Sequence, residues 1–326
     1  MQGKVLLERS ATPVYVGIDV CKARLDVYIH PTGQKLTVSN DRDGLKRLKR
    51  VLKTCKVALV IMEATGKLHR LAHRNLHAGG FAVAVVNPLR SRLFAEALGT
   101  LAKTDAVDAR MLAILGESLK PTASEPQAEH LETLRELVGG RDAAVAARTA
   151  LKNQLGVTQA RVLANEIKRQ LHAIETAIAH LEAEITRLIA EDPQLARRLA
   201  VLTSIPGVGI TTTAALLAGL DELGSLSARQ AAMITGLAPI ACDTGDRSGA
   251  RHIKGGRPQV RRALYMAAIT AVRHNPPLKA FYDRLRAIGK KPKVALTAVM
   301  RKLVILANAL VRENRPWQPT RPVKSP

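Results

Sequence analysis

Four carboxylates in this chain have the type and surroundings of a metal site. Asp19 stands inside the apolar run Val14-Tyr15-Val16-Gly17-Ile18-Asp19-Val20, and Glu63 closes a second run, Val57-Ala58-Leu59-Val60-Ile61-Met62-Glu63. Asp105 and Asp108 lie three apart in Lys103-Thr104-Asp105-Ala106-Val107-Asp108-Ala109-Arg110. Burying a lone carboxylate in an apolar segment costs on the order of several kcal/mol. A divalent cation removes that cost, and magnesium takes hard oxygen ligands of this kind. With a formal charge of +23 on the chain, the substrate that suits such a site is a phosphodiester. The pattern reads as a metal-dependent enzyme acting on nucleic acid.

A second group of residues offers hydroxyls among cations. The stretch from Asp243 to Arg257 is rich in glycine and bases and carries Thr244 and Ser248. Its composition suits no regular element, so an exposed loop is expected, and exposed loops carry function. Thr244 or Ser248 could be a nucleophile, with Arg251, Lys254 and Arg257 holding phosphates. The plainer alternative is a basic loop that contacts DNA without doing chemistry. Ile205-Pro206-Gly207-Val208-Gly209-Ile210 joins two helical stretches in the manner of a helix-hairpin-helix. A turn of this kind, opening a helix at Gly207 and Gly209, points backbone N–H groups at an anion; an ordinary tight turn is the alternative. Arg261 and Arg262, on a following amphipathic helix, are expected to face nucleic acid, and Tyr265 to belong to the core. His69, His73 and His77 recur every four residues, but with Arg70 and Arg74 among them they read as a solvated basic helix face rather than a metal site.

These groups need a scaffold. The chain has 326 residues, 47% of them hydrophobic, enough for about two or three domains. Its pI is near 10.6, and between residues 244 and 302 Asp246 and Asp283 are the only acids among many Lys and Arg. A polyanionic partner is implied. Aromatics amount to 2%, so the grip is expected on backbones and helical shape rather than by base stacking. No stretch reads as ~20 apolar residues, and the N-terminus, with Lys4, Glu8 and Arg9, lacks the apolar core of a signal peptide. Three widely spaced cysteines, Cys21, Cys55 and Cys242, suit a reducing cytosol and no zinc site. A cytoplasmic location with no membrane partner is expected.

Strands are predicted over 14–20, 25–30, 35–39, 57–62 and 81–86, and helices over 42–54, from about 68, and over 90–98 and 105–119. This is an α/β layer with a mixed sheet. Residues 121–126, with Pro121 and Pro126 at their ends, have the composition of a linker. Beyond it Ile167, Leu171, Ile174, Ile178, Leu181, Ile185 and Leu188 alternate spacings of four and three, a heptad seam. The seam suits either an antiparallel hairpin within the chain, with 131–162 as partner, or an arm that pairs subunits. A helical domain follows, and a basic tail from Pro316 is expected to be disordered.

With these residues assembled, the chain resembles the transposases of the insertion-sequence-110 family, relatives of the Piv and MooV DNA invertases. The likeness runs through Gly17-Ile18-Asp19, Met62-Glu63-Ala64-Thr65-Gly66, Lys103 to Arg110, Ile205 to Gly209, Arg251 to Arg257, and Arg262 to Met266. It implies an α/β plus α architecture: an N-terminal RuvC-like (RNase H fold) domain over 1–120, whose four acids hold magnesium, and a linker over 121–130. It further implies coiled-coil dimerisation helices over 131–195, a helical transposase domain over 196–315, and a tail over 316–326. The implied partners are donor and target DNA, a bridge RNA encoded by the element, and further copies of the chain in a dimer or tetramer. One departure stands out. The family's serine nucleophile sits in an Asp-Ser-Gly triplet, where this chain has Asp243-Thr244-Gly245; either Thr244 replaces it, Ser248 takes over, or this copy is impaired. A RuvC-like nuclease using water, and a binding protein without catalysis, are the alternatives.

Overall fold

The computed structural model describes residues 12–99, 105–241, 243, 249 and 251–319, the side chains of 105 and 106 excepted. The chain divides into two compact units, Met1–Gln127 and Ala128–Pro326. The first is built from β1 (Val14–Val20), β2 (Arg24–His30), β3 (Gln34–Ser39), α1 (Arg42–Leu52), β4 (Val57–Glu63), α2 (His69–Ala78), β5 (Val83–Val86), α3 (Pro88–Ala97) and α4 (Asp105–Leu119). Its sheet runs β3-β2-β1-β4-β5. β1 pairs antiparallel with β2 and parallel with β4, so the chain direction changes at the central strand.

Alternation along the strands divides the core. Val14, Val16, Ile18 and Val20 pack on one face with Leu45, Leu48 and Leu52 of α1 and Leu76 of α2. On the other face Leu59, Ile61, Ala84 and Val86 meet Leu112 and Leu115 of α4. Gly17 lies where α4 touches β1: a Cβ there would stand 1.9 Å from the Ala109 carbonyl oxygen and 2.5 Å from the Ala113 nitrogen. A Cβ on Gly116 would in turn meet Ile61 and Tyr15. The helix therefore runs antiparallel to β1, its first turns over the C-terminal end of the strand. Because backbone rather than a pliant side chain fills the space, Gly17→Val is expected to cost about 3 kcal/mol, the upper end for overpacking. Urea unfolding reads this directly, and a loss below about 1 kcal/mol would mean that α4 can shift to make room.

Residues 121–126 form no regular element, as their composition predicts, but they are fastened down. The Ser124 N–H donates to the Val83 carbonyl at 2.8 Å, and the Ser124 carbonyl lies 2.8 Å from His73 Nε2, which must then be the donor. His73 is only 6% exposed, which corrects the expectation of a solvated histidine face. α2 turns Ala72, His73 and Leu76 inward together, so of the repeat His73 alone joins the buried stripe while His77 stays exposed. Burial, then the neighbouring His73 and Arg70, hold the His69 imidazole below its ordinary pKa.

The second unit opens with α5 (Glu129–Val157) and α6 (Arg161–Glu191), which pair as an antiparallel hairpin. Arg141 bonds Glu182 at 2.7 Å and Lys152 bonds Glu175 at 3.0 Å, so position rises on one helix as it falls on the other. Ile167, Leu171, Ile178 and Ile185 of the heptad seam are buried within the chain itself. Val157 and Val162, at the turn, are 81% and 85% exposed.

There follow α7 (Pro193–Thr203), α8 (Ile210–Gly219), α9 (Ala228–Ile234), β6 (Pro239–Ile240), β7 (His252–Ile253), α10 (Pro258–His274), α11 (Pro276–Ala287) and α12 (Pro292–Glu313). α12 is long and apolar enough to cross a membrane by length and composition, contrary to the expectation that no stretch is. It is the central helix of this unit's core: Val299, Met300, Leu303, Val304, Ala307 and Leu310 are buried while Arg301 and Lys302 are exposed. Its buried Asn308 accepts from the Gly224 N–H at 2.8 Å and donates to the Leu226 carbonyl at 2.7 Å, tying the loop before α9. The tail also departs from expectation. The Trp317 backbone N–H donates to Ser204 Oγ at 2.7 Å and its ring packs on the core, because a large indole gains from burial; residues 320–326 lie outside the described residues.

Candidate active site

Asp19 is the penultimate residue of β1 and Glu63 the last of β4. Ile18 pairs with Met62 in the parallel ladder, so the next pair along is Asp19 and Glu63. Both share strand parity with Gly17 and Ile61, the positions that face α4. They thus stand on one face, at the carboxyl ends of neighbouring parallel strands, where open α/β sheets hold their ligands. α4 begins with Asp105 and carries Asp108 one turn on, at the end that overlies this part of β1. Asp108 is partly buried; the side chain of Asp105 lies outside the described residues.

Two further residues join this end of the sheet, and sequence reasoning missed both. Asp26 is the cross-strand partner of Asp19. Its carboxylate takes Arg24 Nε at 2.8 Å and Thr37 Oγ1 at 2.7 Å. Burial alone would push Asp26 up, but those two hydrogen bonds and the Arg24 charge hold it below the usual range. Only strand register could have found it. Ser91, in the first turns of α3, donates to Glu63 Oε1 at 2.5 Å. Among the described residues, no three of His, Cys, Asp or Glu are grouped so as to hold a metal ion. The acids present are hard oxygen donors at one end of one face, so the donor set fits a divalent cation by chemistry and placement.

In the second unit, Thr244 and Ser248 lie outside the described residues. The flanks of their loop are tied together. Pro239 pairs with Ile253 and Ile240 with His252, a two-residue ladder where the glycine-rich composition predicts none. The Asp243 carboxylate accepts from the Gly249 N–H at 3.1 Å and from Arg251 at 3.0 Å. Lys254 and Arg262 are exposed. Gly207, at φ 99°, packs so closely on α10 that a Cβ would meet the Ala271 backbone at 2.5 Å. It shapes the turn, while the exposed Gly209 caps α8 without a side-chain partner for that helix's first N–H groups. A cleft of about 1140 Å³ opens beside this end of α8, lined by Arg141, Arg187, Ile210, Thr211, Gln259 and Arg262.

Arg257 and Arg261 have internal partners. Arg257 grips Glu222 with both Nη atoms, at 2.8 and 2.7 Å, and donates to the Gly219 carbonyl at 2.7 Å. Arg261 donates to the Gly255 carbonyl at 2.6 Å. In this structure the two arginines brace the loop's frame, which qualifies the expectation that they contact phosphates. Arg257→Ala is expected to cost about 1–2 kcal/mol: a half-exposed ion pair counts for less than one, and the lost carbonyl bond for about one. Burial would raise the Glu222 carboxyl, but the Arg257 hydrogen bond and charge outweigh it and hold it low. A depressed acid contributes stability above its unfolded pKa and loses it as pH falls through the folded one. The gap between wild type and variant in urea unfolding should therefore close in acid, and a gap that widens there would exclude the pairing as its source.

The model of a transposase family of the DEDD, IS110 type matches residues 16–158. That of the Transposase IS116/IS110/IS902 family matches residues 199–283. The chain is 30% identical to the pilin gene-inverting protein of Moraxella bovis over 318 residues, covering 93% of this chain and 97% of that protein. It is 31% identical over 154 residues to the insertion element IS110 uncharacterized 43.6 kDa protein of Streptomyces coelicolor, covering 47% of this chain and 37% of that protein. Over 171 residues it is 32% identical to the insertion element IS900 uncharacterized 42 kDa protein of Mycobacterium paratuberculosis, covering 51% and 40%.

Proposed function

Since the chain belongs to the IS116/IS110/IS902 family and is a DNA transposase/recombinase, we propose that it cuts and rejoins DNA through a hydroxyl of its own. Asp19, Glu63, Asp105 and Asp108 hold a divalent cation, which the family implies in general terms and which we take to be magnesium. Bound there, the cation supplies positive charge against the charge that builds up on the phosphate. The sheet order β3-β2-β1-β4-β5 supports an RNase H-type fold for this unit.

The hydroxyl of Thr244 or Ser248 attacks phosphorus. A new P–O bond forms to the protein, the strand's own P–O bond breaks, the nucleophile loses its proton and the departing strand's oxygen gains one. The ester keeps the energy of the broken bond, so a second strand's hydroxyl can reverse the step and complete an exchange. Arg251, Lys254, Arg262 and the open first turn of α8 at Gly209 hold the DNA backbone without reading sequence. Target choice falls to a bridge RNA encoded by the element, and the chain works as a dimer or tetramer in a helix-hairpin-helix-assisted complex.

The observation that carries this reading is the placement of Asp19 and Glu63 on one face, at one end of adjacent parallel strands, beneath the start of α4. The near end-to-end likeness to proteins named for inverting a pilin gene supports rejoining rather than hydrolysis alone. The test is to react the protein with labelled DNA and manganese or magnesium, then denature it. A labelled protein–DNA ester, lost in Thr244→Ala or in Ser248→Ala, identifies the nucleophile. Cleaved DNA with no ester in any variant would instead mean that water attacks.

A further inference from the structure

The Ser91 hydroxyl is 6% exposed, and among the described residues it is the only hydrogen-bond partner of the Glu63 carboxylate. Its position follows from the chain around it. β5 pairs with β4 so that Val86 faces Glu63, and the Ala64 N–H donates to the Val86 carbonyl at 3.0 Å. Asn87 then caps α3 through the Leu89 N–H, with Pro88 fixing the first helical residue. The first turns of α3 are thereby held against the end of β4. Ser91 Oγ lies 2.5 Å from Glu63 Oε1 and 3.0 Å from the Pro88 carbonyl oxygen. It has one proton for two acceptors, and a carboxylate takes it in preference to a carbonyl. The hydroxyl thereby ties α3 to the carboxylate at the end of β4 instead of serving its own helix alone.

We propose that Ser91 is a positioning residue for the reaction: its hydroxyl holds Glu63 Oε1 and so fixes the carboxylate's orientation, leaving Oε2 for the divalent cation. This rests on the reading of Glu63 as a metal ligand given above. Groups that orient a metal ligand from behind change metal affinity by about 10–100-fold when removed, without touching the metal. A serine that merely filled space would not.

The test is a titration of the full-length protein with Mn²⁺, following the electron paramagnetic resonance signal of the free ion, beside thermal melting of each variant. Ser91→Ala and the near-isosteric, weakly donating Ser91→Cys should each weaken Mn²⁺ binding about tenfold or more while melting cooperatively within about 5 °C of wild type, the loss of one buried hydrogen bond, and Ser91→Thr, which keeps the hydroxyl, should bind like wild type. Glu63→Gln is measured in parallel. If Glu63→Gln loses Mn²⁺ binding while Ser91→Ala and Ser91→Cys keep it, the positioning role is overturned and the ligand reading stands. If Glu63→Gln binds Mn²⁺ like wild type, both fall together.

Discussion

Asp19→Asn is expected to lower DNA strand cleavage by about a thousandfold or more while leaving the protein folded. A metal that neutralises transition-state charge contributes several kcal/mol, and each ~1.4 kcal/mol is a factor of ten in rate. Asparagine keeps the size and one oxygen of aspartate but loses the charge that draws a hard cation. Folding should survive because Asp19 lies directly across from Asp26, and like charges opposite one another in a ladder oppose folding. Neutralising one of them relieves that repulsion. The expected signature is lost cleavage with equal or slightly raised thermal stability, read by a cleavage assay beside a melting curve. Cleavage within about tenfold of wild type would remove Asp19 from the metal site.

The second large effect concerns subunits. A protein carrying Asp19→Asn and Asp108→Asn, mixed with one carrying Thr244→Ala and Ser248→Ala, is expected to recover cleavage that neither shows alone. The acids lie in one compact unit and the hydroxyl loop in the other. Between them in sequence stands α6, whose 31 residues extend about 46 Å at 1.5 Å per residue. A chain so divided can offer its acids to one partner and its hydroxyl to another. The buried residues of the heptad seam are used inside the α5–α6 hairpin, so any pairing of copies would draw on other surfaces. Size-exclusion chromatography with two differently tagged variants verifies that mixed oligomers form. Mixed oligomers without recovered cleavage would show that each subunit builds its site alone.

Much of the scaffold was legible along the chain because it is set by short-range pattern. Alternating Val and Ile marked β1, helical patterning over 42–54 marked α1, and the four-and-three spacing from Ile167 to Leu188 marked α6. The acids at the ends of apolar runs were legible for the same reason, since a charge in such a run stands out against its neighbours. Where a side chain's role depends on distant partners, pattern misled. His73 looked solvated among arginines and is buried against Ser124, 51 positions away. Arg257 looked like a phosphate ligand and grips Glu222, 35 positions away.

The sequence by itself determined the main strands and helices, the positions of the acids at the ends of apolar runs, and the family, because each of these is written in residue type and spacing within about one turn or one strand. Only the tertiary structure decided that Asp26 joins Asp19, that Ser91 holds Glu63 from 28 positions away, and that the heptad seam closes on its own chain. Such pairings depend on strand register and helix packing. Those in turn are fixed by the burial of the whole apolar surface rather than by any local signal.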